Sequence, residues 1–172
     1  MSEATIHEAP ARKTWIKVLA VTLVVAAAAF VLGPIIWPPA ASGPSPTAAQ
    51  LPFLLFLSLV QAVVLGLGVS FLAFGLPVMR RISPQSKARA WAMYLSIGYL
   101  MISWWPHINM HAHNGPEDLR GLLIIDYLFH LPSMAAALVL AYCFFTLLRE
   151  RGDGRTPVGR PGGGGEVHDA HT

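Results

Sequence analysis

Four long stretches of this sequence contain almost no Asp, Glu, Lys or Arg, and they constrain its fold more than any other feature. They cover residues 18–37, 51–79, 90–110 and 121–148. A helix crosses the hydrocarbon core of a bilayer, about 30 Å thick, in roughly 20 residues, because each residue advances it by about 1.5 Å. Each stretch is long enough to cross once. The sequence therefore predicts an all-α integral membrane protein with four transmembrane helices in an up-down-up-down bundle.

The composition excludes a soluble globular fold. Of the 172 residues, 54% are hydrophobic and 12% are charged, whereas a soluble domain has about 25% charged residues. Nearly all of the charged side chains lie in the tails and in two short loops. The single cysteine, Cys143, excludes an intramolecular disulfide and any multi-cysteine zinc or iron–sulfur site. A metal site in this chain would therefore use imidazole and carboxylate ligands.

The four stretches define a membrane domain, residues 15–150, between two polar tails. Residues 1–14 are predicted to form a cytoplasmic N-terminal tail, and the Gly-rich residues 151–172 a disordered cytoplasmic tail. The first stretch also fits a cleaved signal peptide. However, its 20 residues exceed the roughly 7–15 of a signal-peptide core, and Trp15 and Trp37 flank it as interfacial residues do. We interpret it as a transmembrane helix.

Basic residues are concentrated on one side of the predicted topology. Three precede the first stretch, four join the second to the third and four follow the fourth, so eleven of the twelve share a side. Only Arg120 lies in the opposite loops. Because cytoplasmic loops retain Lys and Arg, both termini are predicted to be cytoplasmic and the histidine-rich segment to lie at the outer face of the plasma membrane. The topology also accounts for the net charge of +3 without a nucleic-acid partner.

Polar side chains inside the predicted spans share helical faces. Asp126 and His130 are four residues apart in the fourth span, as are Tyr99 and Ser103 in the third, and Gln61 lies in the second. Lipid exposure of ionisable groups costs several kcal/mol. We therefore expect Asp126 and His130 to face the bundle interior and to meet a polar seam of Gln61, Tyr99 and Ser103.

The relative depth of these groups follows from the hairpin that joins spans three and four. A turn at residues 114–115 would place residues equidistant from it at the same depth. Ser103 would then be level with Asp126, and Tyr99 with His130. A histidine near the top of span three would lie well above His130.

Three histidines occur within the seven residues 107–113. His107 and His111 are four apart and share a face if the helix continues past Pro106. His111 and His113 are two apart, a spacing that converges on one ion only in extended or turn backbone, so we expect both in the outer loop. If that loop folds over the bundle mouth, the site is continuous; otherwise His107, His111 and His113 form an upper cluster, and Asp126 and His130 a lower one. Neutral imidazole is a good ligand for zinc and copper. The sequence predicts a Cu or Zn site whose candidate ligands are His107, His111, His113, Asp126 and His130.

Two known architectures resemble fragments of this site. The spacing of Asp126 and His130 on a membrane helix resembles part of the metal site of the copper membrane monooxygenases, which place a further histidine later on the same helix, where this span has none. His107 or His111 with His130 resembles the histidine pair that holds haem b in four-helix membrane cytochromes. The expected depth difference between His107 and His130 disfavours haem. Each resemblance covers two or three residues and assigns no family.

The sequence thus predicts a multi-pass membrane protein with a transition metal in an outer-face pocket. Two alternatives stay open. One is a non-enzymatic accessory or assembly subunit that docks a membrane-protein partner or a second copy. The other is a small proton-linked transporter with Asp126 and His130 as its relay, although spans one and two do not mirror the polar content of spans three and four as an inverted repeat would. No nucleophile and base motif identifies an enzyme.

The predicted topology can be tested with side-specific reporter fusions. Fusions at Gly43 and Gly115 should report an external location, and a fusion at Gln85 an internal one, because the basic residues stay on the cytoplasmic side. An inverted pattern at all three positions would reject the orientation.

Overall fold

The computed structural model describes residues 8–40, 46–115 and 117–153, and within these ranges every regular element is a helix. In chain order the helices are α1 (Glu8–Ile36), α2 (Leu51–Phe74), α3 (Leu76–Ile82), α4 (Lys87–Asn114), α5 (Leu119–Ile125) and α6 (Leu131–Asp153). A π-helical turn, Asp126–His130, joins α5 to α6, so residues 119–153 form one continuous rod, called here the C-terminal rod. The predicted all-α class is confirmed for the described residues.

Both ends of the helical region extend into the predicted tails. α1 begins at Glu8, inside the predicted tail 1–14, and α6 continues to Asp153, past the start of the predicted tail 151–172. Residues 1–7 and 154–172, which include the Gly-rich segment, lie outside the described residues.

Three helical segments in the described part of the chain are long and apolar enough to cross a membrane. They cover residues 14–36, 51–74 and 119–152. Only 22%, 22% and 11% of their most apolar parts is buried within the protein, and side chains such as Val24, Leu138 and Tyr142 are 70–72% exposed. So large an apolar surface indicates contact with lipid. α4, with 28 residues, is long enough to cross a membrane but more polar than these three segments. The predicted third span therefore stays a prediction.

The predicted second stretch, 51–79, is not one helix. α2 ends at Phe74 and α3 begins at Leu76, with the N–H of Gly75 bonded to the carbonyl of Phe71 at 2.6 Å. Pro77 explains the break, because proline has no N–H for the helix interior and is best accommodated in a first turn. The predicted span 51–79 is thus covered by two helices, of which α2 is long and apolar enough to cross a membrane.

Small residues allow α1 and α2 to pack closely. Ala26 of α1 and Ala62 of α2 lie in one buried cluster. One turn further along α2, Gly66 lies against the backbone of Thr22, and the Thr22 hydroxyl makes a buried hydrogen bond of 2.8 Å with the hydroxyl of Ser70. Without a hydrophobic driving force between helices in lipid, such close contact and hydrogen bonding hold them together.

Each long helix packs antiparallel against the next one in the chain. α2 contacts α4 where Gly68 lies against Met101 and where Gly98 lies against Leu72. The C-terminal rod makes its extensive contacts with α4 alone, as far as the described residues show. α4 is therefore the helix that joins the two halves, and most of the rod's surface is open.

A charged contact joins α4 to the rod at what we call the basic end, the end containing Arg80, Arg81 and Arg89. Arg89 donates to both carboxylate oxygens of Glu150, at 2.7 and 2.9 Å, and its Nε donates to the hydroxyl of Ser83 at 2.7 Å. The hydrogen bonds to Glu150 raise the pKa of the Arg89 guanidinium above its usual value, so it stays charged. This two-point contact fixes the start of α4 against the end of the rod.

The opposite end, called the histidine end, brings α1 close to α4. Trp37 contacts Trp105 edge to face, with ring centroids 4.9 Å apart. The N–H of Ala40 donates to the carbonyl of Ala112 at 3.1 Å. The chain that follows α1 is thereby attached to the last turn of α4.

The close approach at Gly66 predicts the effect of adding one methyl group. A Cβ at this position would overlap the carbonyl oxygen of Thr22 and lie 3.1 Å from its carbonyl carbon. We expect Gly66→Ala to lower the free energy of unfolding by about 1–3 kcal/mol, because neither backbone can give way. Denaturant titration in detergent micelles, followed by circular dichroism, measures this.

Gly152→Ala is the matched control, because a Cβ there meets nothing within 4 Å. It should leave stability unchanged or raise it slightly through helix propensity. Equal losses in the two variants would contradict the packing of α1 on α2.

Candidate metal centre

α4 continues through Pro106 and places two histidines on one face. The rings of His107 and His111, one helical turn apart, have centroids 4.8 Å from each other. The condition for a shared face, a helix that continues past Pro106, is met. The expected placement of His111 and His113 in a loop is wrong. Both lie in α4, which ends where Gly115 adopts a φ of 70°, a conformation that favours glycine.

The extra length of α4 changes its register against the C-terminal rod. α4 ends before Gly115, and α5 starts behind Asp118, whose carboxylate accepts the N–H of Gly121 at 2.9 Å. His107 therefore lies level with His130, and their Nε2 atoms are 2.9 Å apart. The predicted depth match of Ser103 with Asp126 does not fit this register. The hydroxyl of Tyr99 lies within hydrogen-bond distance of the Leu128 carbonyl, two residues from His130.

Pro132 accounts for the π-helical turn that carries His130. Proline offers no N–H to the carbonyl of Leu128 four residues earlier, and the N–H of Leu131 bonds to the carbonyl of Asp126, five residues back. The hydroxyl of Tyr99 donates to the Leu128 carbonyl at 2.5 Å and lies 3.5 Å from that of Phe129. Tyr99 on α4 thus supplies the donor that the rod lacks.

Three imidazoles from two helices converge at the histidine end. His107, His111 and His130 each offer one ring nitrogen, and these nitrogens all lie within 4.8 Å of one another. In a tetrahedral zinc site, with Zn–N distances of about 2.0–2.1 Å, ligand nitrogens are about 3.3 Å apart. The pair His107 and His130 would have to open by a few tenths of an ångström, and the widest spacing in the group would have to close by up to about 1.5 Å. The three histidines could hold a metal ion.

Asp126 lies on the other side of the His130 ring. Its Oδ1 is 2.5 Å from the Nδ1 of His130. A carboxylate there accepts the Nδ1 proton, which leaves Nε2 with a free lone pair directed at His107. A carboxylate that orients a metal-binding histidine from behind is a recurrent arrangement in metal sites.

Asp126 and His130 do not face a bundle interior. Their side chains are 59% and 46% exposed, respectively, because the rod packs extensively on α4 alone among the described helices. The expectation that these two residues point inwards is wrong. Their polar groups are satisfied by each other and by His107.

The remaining predicted site residues lie apart from the three histidines. The Nδ1 of His113 is 2.8 Å from the carbonyl oxygen of Pro38, so this ring attaches α4 to the end of α1. Ser103 Oγ lies 3.5 Å from the carbonyl oxygen of Leu100 in its own helix, and Gln61 is buried in α2. Within the described residues, Gln61, Tyr99 and Ser103 make no hydrogen bond to Asp126 or His130.

The distance between the His107 and His130 rings also affects whether haem b could bind between them. The depth difference expected between His107 and His130 is absent, so that reason against haem was wrong. However, a porphyrin plane would have to pass between two ring nitrogens that are 2.9 Å apart. The pair His107 and His130 would therefore have to separate before a macrocycle could enter.

No protein-family model, curated protein or solved structure matches this chain. Its function is therefore inferred from its own residues, their contacts and the chemistry of imidazole. Those contacts depend on a π-helical turn that the sequence signals only through Pro132.

A double-mutant cycle tests how Tyr99 supports this turn. Tyr99→Phe should lower the free energy of unfolding by about 1–3 kcal/mol, because a carbonyl in an apolar environment loses its donor. In a Pro132→Ala background the same change should cost much less, since the N–H of Ala at 132 can serve Leu128. Denaturant titration in detergent gives both values.

Tyr142→Phe, at a ring that is 72% exposed, is the control and should have no effect. An identical cost of Tyr99→Phe in the two backgrounds would show that the hydroxyl does not replace the missing N–H.

Proposed function

We propose that this chain is a four-span plasma-membrane protein that binds one divalent copper or zinc ion at its outer face, through His107, His111 and His130. The observation that carries this proposal is the convergence of three imidazole nitrogens within 4.8 Å. Imidazole suits both metals, and three histidines are an established ligand set for zinc.

The role of Asp126 supports a metal rather than an incidental cluster. An ionisable side chain in a membrane helix is costly and needs a purpose. Here the carboxylate holds the Nδ1 of His130 and so presents Nε2 to the other two rings. In this proposal Asp126 is a positioning residue and His113 is structural.

The packing of α4 supports a fourth span. α4 lies between α2 and the C-terminal rod, antiparallel to both, and those two are apolar enough to cross a membrane. With 28 residues α4 is about 42 Å long, sufficient for a bilayer. A helix packed along two spanning neighbours shares their environment.

The aromatic pair at the histidine end supports an interfacial site. Tryptophan is enriched at membrane–water interfaces, and Trp37 and Trp105 meet beside the end of α4 that carries His107. Since the basic residues predict cytoplasmic termini, this interface is the outer one. An ion could therefore reach the histidines from external solvent.

One observation favours a second function, a proton relay. Asp126, His130 and His107 form a continuous chain of hydrogen bonds, at 2.5 and 2.9 Å. The short Nε2 contact requires one protonated and one free nitrogen, as in a proton-sharing pair. A relay would operate in the metal-free protein, whereas the ion would replace the shared proton.

Equilibrium dialysis of the detergent-purified chain against micromolar zinc tests the metal proposal. We expect one ion per chain in the wild type, loss of uptake in His107→Ala and His130→Ala, and unchanged uptake in the matched control His113→Ala. Asp126→Asn should keep the stoichiometry with about 10–100-fold weaker affinity. Uptake should fall below about pH 6, because protons then compete for the ring nitrogens.

Two outcomes reject the metal site: no uptake by the wild type, or undiminished uptake in both histidine variants. Proton flux into liposomes that contain the metal-free protein, abolished by Asp126→Asn, would instead identify a relay.

A further inference from the structure

We propose that the bound ion keeps a fourth coordination position open to solvent, and that this position takes water or one small anion. This inference rests on the proposed metal site and names the class of ligand that the site would exchange. A metal site with an open position can bind a further molecule, whereas a fully coordinated one only holds the two helices together.

The number of protein ligands leaves one position unfilled. Among the described residues the converging group consists of His107, His111 and His130. Structural zinc sites are closed by four protein ligands, whereas sites with three leave the fourth position to water or substrate. Two of the rings belong to α4 and one to the C-terminal rod, so the open position points away from all three.

Asp126 is not available as the fourth ligand in this arrangement. Its Oδ1 lies 2.5 Å from the Nδ1 of His130, whereas the ion would lie on the Nε2 side of the same ring. The two nitrogens are on different edges of an imidazole. A carboxylate held on one edge cannot also reach an ion bound at the other.

His113 is also committed elsewhere. Its Nδ1 bonds to the carbonyl of Pro38 at 2.8 Å, and the N–H of Ala40 donates to the carbonyl of Ala112 at 3.1 Å. These two contacts fix the last turn of α4 to the chain that leaves α1. A swing of His113 towards the ion would break the first of them.

Protein leaves one side of the site uncovered, because within the described residues only α4 packs extensively on the rod. The side chain of His130 is 46% exposed and that of Asp126 59% exposed. Since the sides of the rod face lipid, an external ligand would approach from the histidine end, where Trp37 and Trp105 meet. Three neutral imidazoles leave the charge of a divalent ion uncompensated, and Asp126 offsets one unit of it. The remaining positive charge favours water, hydroxide or a small anion.

Cobalt and azide test the open position. Co²⁺ replaces zinc in nitrogen sites, and its visible absorption changes when its ligands change. We expect the full-length protein in detergent to bind one Co²⁺ per chain and its spectrum to shift on titration with azide, saturating at one azide per cobalt. His113→Ala, the matched control, should give the same titration.

The outcomes separate this inference from the metal site itself. One cobalt per chain with a spectrum that azide leaves unchanged would overturn the open position but not the metal site. A response to azide only in Asp126→Asn would overturn it too, because the carboxylate would then be the fourth ligand. Half a cobalt per chain, with a spectrum that azide leaves unchanged, would overturn the open position as well, because a second copy of the chain would then complete the coordination. No cobalt uptake by the wild type would overturn both proposals.

Discussion

A backbone carbonyl without a hydrogen-bond donor is costly in lipid, and Pro132 creates one in the middle of the C-terminal rod. Two features meet this cost: the chain widens into a π-helical turn, and the hydroxyl of Tyr99 on α4 donates to the carbonyl of Leu128. π-Helical turns occur frequently at functional sites. Here the turn ends in His130 and presents its ring to His107, so the convergence of the histidines depends on how one proline is accommodated.

The position of α4 determines the rest of the site. Gly68 and Gly98 allow α2 and α4 to approach closely, and Arg89 joins the start of α4 to Glu150 at the end of the rod. α4 continues beyond Pro106 as a regular helix. The two histidines of that segment then share a face by helical periodicity alone.

Much of this arrangement could be predicted from residues, and the errors have physical causes. The apolar stretches predicted the helices. The four-residue spacing of His107 with His111, and of Asp126 with His130, predicted the pairs that are in contact. Their mutual register could not be predicted, because the π-helical turn changes the rotation and rise of the rod just before His130, and residue spacing does not encode it. Exposure of Asp126 was missed because sequence patterns do not show which face of the rod lacks a neighbour. The roles of Tyr99 and His113 involve backbone carbonyls, which no side-chain pattern encodes.

α4 and the C-terminal rod are joined at three levels, by Arg89 with Glu150, by Tyr99 with Leu128, and by His107 with His130. The first two are indifferent to the ionic environment outside the cell in the proposed topology. The third joins two imidazole rings in direct contact. The rings attract each other when they share one proton and repel each other when both are protonated. The rod is thus held to α4 by an ion pair at the basic end and, at the histidine end, by a contact whose sign depends on protonation.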